Sequence, residues 1–125
     1  MAKHMINTAA APAALGTYSQ GIRAGDTLYL SGQLGLDPTS GNLRETIDAQ
    51  IDQAFQNLRA VATSAGASLD DVVKLTLFLT DLANFSKVNE TMARHFREPY
   101  PARSTVQVAR LPRDARVEID VIAVL

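Results

Sequence analysis

Cysteine is absent from this 125-residue sequence, and histidine occurs only at His4 and His95. Without cysteine there are no disulfides, no thiolate nucleophile and no cysteine metal ligands. The two histidines form no ligand-spaced pair, so a metal centre is poorly supported. None can be placed beside Ser19, Ser31 or Ser104 for a serine triad. Charge of one sign is also missing: 12 Lys and Arg against 13 Asp and Glu give a formal charge of -1. Such a balance creates no global field to gather nucleic acid or an anionic membrane. No apolar run approaches the roughly 20 residues that cross a bilayer. The stretch 8–15 is dominated by Ala and Pro rather than the Leu and Val of a secretory core, and reads as a surface strand or arm. Gly32-Gln33-Leu34-Gly35 lacks the lysine and helix start of a phosphate cradle, so nucleotide cofactors are not expected. Together these absences predict a cytoplasmic protein with neither a metal centre nor a nucleotide cofactor. Residues 1–4 resemble a cloning remainder ahead of a natural start at Met5.

What is present suits one domain over residues 1–125: the content is 46% hydrophobic and 20% charged, ordinary for a packed core. Segments 22–24 and 27–34 flank Gly25-Asp26, a pair suited to a tight hairpin. Residues 37–42 are turn formers. Thr46 is placed to cap a helix whose Ile47, Ile51, Phe55, Leu58, Ala62 and Ala65 follow helical spacing up to Gly66. Residues 72–79 alternate Val73, Leu75, Leu77 and Leu79 against Lys74, Thr76 and Phe78, as a strand does. Asp81 caps a second helix with an apolar stripe of Leu82, Phe85, Val88, Met92 and Phe96, stopped by Pro99 and Pro101. Segments 104–109 and 116–124, separated by Leu111-Pro112-Arg113-Asp114, are expected to pair as an antiparallel hairpin. The order of elements predicts an α+β fold, a mixed sheet with two helices on one face.

Strand alternation puts Tyr29, Ser31, Gln33, Lys74, Thr76, Arg103, Thr105, Gln107, Glu118 and Asp120 on the uncovered face. Phe78, Ile122 and Val124 share it, and the mixture suits burial against another subunit around a pocket. In the expected hairpin, Glu118 lies opposite position 107 and about 13 Å from Arg103 at strand rise. A small carboxylic acid fits between a guanidinium that can fork onto a carboxylate and a glutamate that can take a proton from water. A structural salt bridge between the two is the competing reading.

Several blocks, taken in order, resemble the RidA/YjgF family: Ala11-Pro12-Ala13-Ala14-Leu15-Gly16-Thr17-Tyr18-Ser19-Gln20, Ser31-Gly32-Gln33, Val88-Asn89-Glu90, Pro101-Ala102-Arg103-Ser104-Thr105-Val106, and Leu111-Pro112 through Val117-Glu118-Ile119. The resemblance implies a chorismate-mutase-like fold assembled as a homotrimer, its sheets forming a central barrel with an active site in each cleft between subunits. It also implies hydrolysis of reactive 2-imino and 2-enamino acids, such as 2-aminoacrylate and 2-iminobutyrate, to 2-keto acids and ammonia without metal or organic cofactor. Arg103 then corresponds to the carboxylate-binding arginine and Glu118 to the acid that positions or activates water. Tyr18, Ser31, Gly32 and Asn89 fall at pocket positions, and Thr105 stands where cysteine is frequent, its hydroxyl or carbonyl available to water or to the substrate nitrogen. Thr17 and Gly35 replace frequent prolines, which predicts looser loops beside the pocket. The same fold family admits two alternatives: a small-carboxylate sensor or chaperone-like protein without turnover, and, more weakly, an endoribonuclease.

Overall fold

The computed structural model describes residues 2–125. Six strands form one sheet: β1 (Lys3–Ile6), β2 (Gly21–Ala24), β3 (Thr27–Leu34), β4 (Val72–Leu79), β5 (Ala102–Gln107) and β6 (Val117–Val124). Their spatial order is β1-β2-β3-β6-β4-β5, and two helices, α1 (Ile47–Ser64) and α2 (Phe85–His95), complete the fold. The expected β2–β3 hairpin is present, with Gly25 at φ 62° in its turn. Lys3 and His4, read from sequence as a cloning remainder, pair with Ala24 and Arg23 as the first rungs of β1.

Helix α1 follows its predicted spacing. Thr46 Oγ1 accepts from the Ala49 amide at 3.1 Å, and Gly66 ends the helix at φ 81°. Ile47, Ile51, Phe55, Leu58 and Ala62 are buried against Leu28, Leu30, Leu75, Leu77 and Ile119 of the sheet. In α2 the stripe is shorter than predicted: Val88, Met92 and Phe96 are buried, whereas Leu82 and Phe85 are each 42% exposed. The helix starts only at Phe85, and Asp81 caps the preceding 3₁₀ turn, accepting from the Ala83 amide at 2.9 Å. Leu82 therefore lies outside the helical repeat.

The predicted hairpin of the last two strands is not formed. β5 runs parallel to β4, and β6 lies antiparallel between β3 and β4, so β5 and β6 are not neighbours. The reason is the crossover through α2. A strand followed by a helix returns to the same sheet edge parallel to itself, and β6, with eight residues of alternating apolar character, fills the remaining central slot with both its edges hydrogen-bonded.

This pairing also corrects which face several residues occupy. Arg103, Thr105 and Gln107 pair with Leu75, Leu77 and Leu79, whose side chains are buried under the helices. They point to the helix side at the sheet edge, not to the uncovered side. A bulge between Leu30 and Gln33 turns Gln33 inward beside Ile119, and an irregularity at Val72–Lys74 leaves Val73 exposed while Val72 is buried. Tyr29, Lys74, Thr76, Phe78, Ala102, Ser104, Val106, Glu118, Asp120 and Ile122 share the uncovered face. Among the described residues, no helix is long and apolar enough to cross a membrane.

Candidate active site

Arg103 sits on the outermost strand, with α2 beside it. One guanidinium nitrogen, Nη1, donates to Asn89 Oδ1 at 2.8 Å and approaches Met92 Sδ at 3.4 Å. The guanidinium carbon lies 5.0 Å from the centre of the Phe85 ring, a cation–π distance. All three partners are neutral. No carboxylate among the described residues lies within 4.0 Å of Arg103, so the salt bridge with Glu118 is not made. Phe85 and Met92 serve as platform and stop for the guanidinium, a role hidden in sequence because both fit an ordinary apolar stripe. With Asn89, Ala93, Tyr100 and Pro101, Arg103 and Met92 line a cavity of about 290 Å³.

Glu118 belongs to a different cavity, of about 390 Å³, shared with Tyr18, Ser31 and Gly32 and closed by Pro12, Leu36 and Pro112. The Ser31–Gly32 bulge makes room for its carboxylate. A β-carbon at Gly32 would overlap that carboxylate and lie 2.8 Å from Glu118 Cδ, so the glycine is required for close approach. Ser31 donates its hydroxyl to the Ser19 carbonyl, and its amide donates to the Gln20 carbonyl at 2.9 Å, tying the bulge to the arm that carries Tyr18. Burial raises the Glu118 carboxyl above its ordinary pKa, and the negative charge of Asp120 adds to the rise. Asp120 is itself raised by burial, against the lowering effects of Lys74 and Thr76.

Tyr18, Ser31, Gly32 and Glu118 therefore come together, as do Arg103 and Asn89. The two groups do not meet within one chain, because Arg103 faces the helices and Glu118 the uncovered side of the sheet. Thr105 lines neither cavity. It shares Arg103's face, and its Oγ1 is buried without a hydrogen-bond partner among the described residues.

Buried amides, which the sequence reading passed over, support both loops of the Glu118 cavity. Gln20 Nε2 donates to the carbonyls of Thr8 and Pro12 at 3.0 and 2.9 Å, and Gln20 Oε1 accepts from the Thr8 amide at 2.7 Å. On α1, Asn57 Nδ2 donates to the Leu34 and Leu36 carbonyls at 3.1 and 2.9 Å. Gln50 donates to the Arg44 carbonyl at 3.0 Å and accepts from the Arg116 amide at 2.9 Å, just before β6. Gly35 is buried between these contacts: a β-carbon there would lie 2.6 Å from the Gln50 carbonyl oxygen. Rather than loosening its loop, Gly35 lets the loop close onto α1. The available signal was the run of amide residues on the inward side of α1 at positions 50, 53 and 57.

The family model described as endoribonuclease L-PSP matches residues 8–125. The chain belongs to that family. Within it, the chain is 47% identical to Reactive Intermediate Deaminase A, chloroplastic, of Arabidopsis thaliana over 124 residues, covering 98% of this chain and 66% of that protein. It is 44% identical to a 2-iminobutanoate/2-iminopropanoate deaminase of Dermatophagoides farinae, covering 98% of this chain and 97% of the relative. Among solved L-PSP family structures, RidA from an Antarctic Psychrobacter superposes with a TM-score of 0.96 at 50% identity, covering 98% of this chain and 99% of the other. The resemblance to the RidA/YjgF family and the α+β fold it implied are thereby established.

Proposed function

We propose that this chain acts in the cytoplasm as a deaminase, hydrolysing 2-imino and 2-enamino acids to 2-keto acids and ammonia at clefts between the subunits of a homotrimer. The observation that carries this reading is Arg103: a guanidinium fixed by Asn89, Met92 and Phe85, with no carboxylate of its own. Such a group is preorganised for a ligand carboxylate. The names of the relatives supply the imine chemistry. A second copy bringing its Glu118 cavity against Arg103 would complete the site, and the partly apolar uncovered face, with Tyr29 half exposed and Val106 exposed, suits such an assembly.

Arg103 holds the substrate carboxylate and so orients the imine carbon. A water beside the partner copy's Glu118 attacks that carbon. Glu118 takes one proton from the water as the C–O bond forms and passes it to nitrogen, giving a carbinolamine. It then takes the carbinolamine's hydroxyl proton and delivers that to the amino nitrogen as the C–N bond breaks, releasing ammonia and leaving the 2-keto acid. An enamine first gains a proton on carbon. A carboxyl with a raised pKa is suited to this exchange, because it gives and takes protons nearer neutrality. Tyr18, Ser31, Gly32 and Asn89 shape the two halves, and Thr105 offers a hydroxyl or carbonyl to the water or the nitrogen. No step calls for a metal or an organic cofactor.

The test generates 2-iminobutanoate in situ and follows 2-oxobutanoate formation. Native protein is expected to accelerate it, and Arg103→Ala to lose about 100-fold or more in kcat/KM. Absence of acceleration by native protein, with saturable binding of 2-oxobutanoate, would instead establish the carboxylate-binding alternative. An endoribonuclease reading follows the family's description and the names of some solved relatives. The near-neutral charge and the absence of histidine from both site cavities count against it.

A further inference from the structure

A third cavity, of about 490 Å³, lies on the helical side and shares no lining residue with the other two. Its walls include Arg59, Thr63, Ser64 and Ala60 of α1, His95 at the end of α2, and Thr8 of the arm after β1. Arg59 is held by a chain of contacts. Its Nη2 donates to His95 Nδ1 at 2.9 Å, and His95 Nε2 lies 2.7 Å from Asp52 Oδ1. A guanidinium only donates, so Nδ1 accepts, and Nε2 carries the proton that it donates to Asp52. The His95 side chain is only 7% exposed and packs 5.3 Å from the Phe55 ring centre. Burial opposes ionisation of Asp52, yet the hydrogen bonds from His95 and Gln56 hold its carboxyl below the usual pKa. The arrangement is not a catalytic triad: the histidine nitrogen that would activate a nucleophile is occupied by Arg59.

We propose that this cavity is a second binding site, separate from the deaminase centre, for a short-chain monocarboxylate. Arg59 forms no ion pair among the described residues, and its Nη1 and Nε hydrogens have no protein acceptor there. The His95–Asp52 chain fixes one arm of the guanidinium and leaves the fork free for a carboxylate. Thr63 and Thr8, both hydroxyl-bearing, line the same cavity, with the Thr8 hydroxyl accepting from the Ala10 amide at 3.2 Å, while Ala60 and Ala10 offer an apolar wall to a short hydrocarbon. One cation balances one negative charge, and Asp52 behind His95 disfavours a dianion such as phosphate.

The experiment uses full-length protein carrying Arg103→Ala, which disables the deaminase carboxylate anchor, and titrates butanoate by saturation-transfer NMR. Butanoate is expected to bind. Adding Arg59→Gln, which keeps a donor for His95, is expected to weaken binding about tenfold or more. Adding Ala60→Glu instead, which sets a negative charge in the wall, should weaken it comparably. Thermal melts show whether each variant stays folded, so at least one reports on the site. Absence of binding in the Arg103→Ala protein, or binding unchanged by both added variants, overturns the proposal. Phosphate displacing butanoate at lower concentration than butanoate itself needs would also overturn it, by making the site a phosphate site. No turnover is measured, so failure here is distinct from failure of the deaminase reading.

Discussion

Glu118 stands between two demands. As a proton carrier it must ionise, and as a half-buried side chain two residues from Asp120 it is pushed toward its neutral form, by burial first and by Asp120 second. Because folding raises its pKa, the folded state binds the proton more tightly than the unfolded chain. Stability is therefore lost as pH rises from the ordinary carboxylate pKa through the raised one. Glu118→Gln, which cannot ionise, is expected to melt higher than native protein above that window and to show a flatter dependence of Tm on pH. Above the ordinary carboxylate range the remaining slope belongs to Asp120, whose carboxyl is also raised, whereas the lowered Asp37, Asp52 and Asp70 act below that range. In the same variant kcat should fall by about 100-fold or more, and the acid limb of the native rate profile should lie above the ordinary carboxylate range. Equal pH dependence of Tm in the two proteins would remove Glu118 as its source. Gly32→Ala separates the functions differently. The new methyl group meets the flexible end of Glu118 rather than backbone, so the carboxylate can swing aside. Tm should change little while kcat drops about tenfold or more. A large fall in Tm with activity retained per folded molecule would contradict this.

The elements that were legible from sequence are those whose signals are local. The α1 periodicity, its Thr46 cap and the Gly25-Asp26 hairpin each depend on residues within one or two turns of chain. The placement of β5 was not legible. Its sequence and that of β6 fit an antiparallel pair as well as they fit the observed order, and the choice is made by the α2 crossover and the central slot beside β4. That error carried Arg103 to the wrong face; the carboxylate-binding role proposed for it rests on residue type and family pattern and does not depend on that placement. The inward side of α1 was half legible: its apolar stripe was read, its amides were not. Asn57, 1% exposed, shows what those amides do, since it satisfies two loop carbonyls at once. Asn57→Leu should destabilise the fold by about 1–3 kcal/mol by leaving those carbonyls unpaired, measured by urea denaturation at unchanged m-value. Gly35→Ala presses a methyl group onto α1 backbone, which cannot yield as a side chain does, and should cost about 1–3 kcal/mol. Stability unchanged in both variants would mean that the 34–36 loop is not held by α1.

At the scale of the whole molecule, strand alternation has a consequence that no single element shows. Arg103 and Glu118 lie on opposite faces of one sheet, so a cleft using both must take them from different chains. In a trimer, each cleft would join the Arg103 half of one copy to the Glu118 half of its neighbour. Arg103→Ala and Glu118→Gln homotrimers should each be nearly inactive, because every cleft lacks one group. When the two variants are unfolded together and refolded as an equal mixture, random assembly of a cyclic trimer leaves about one cleft in four with both groups intact. Activity should therefore return to roughly a quarter of the native level, and light scattering should give the trimer mass for parents and mixture alike. If both groups came from one chain, no combination of these two variants would contain a complete site, and the mixture would stay as inactive as its parents.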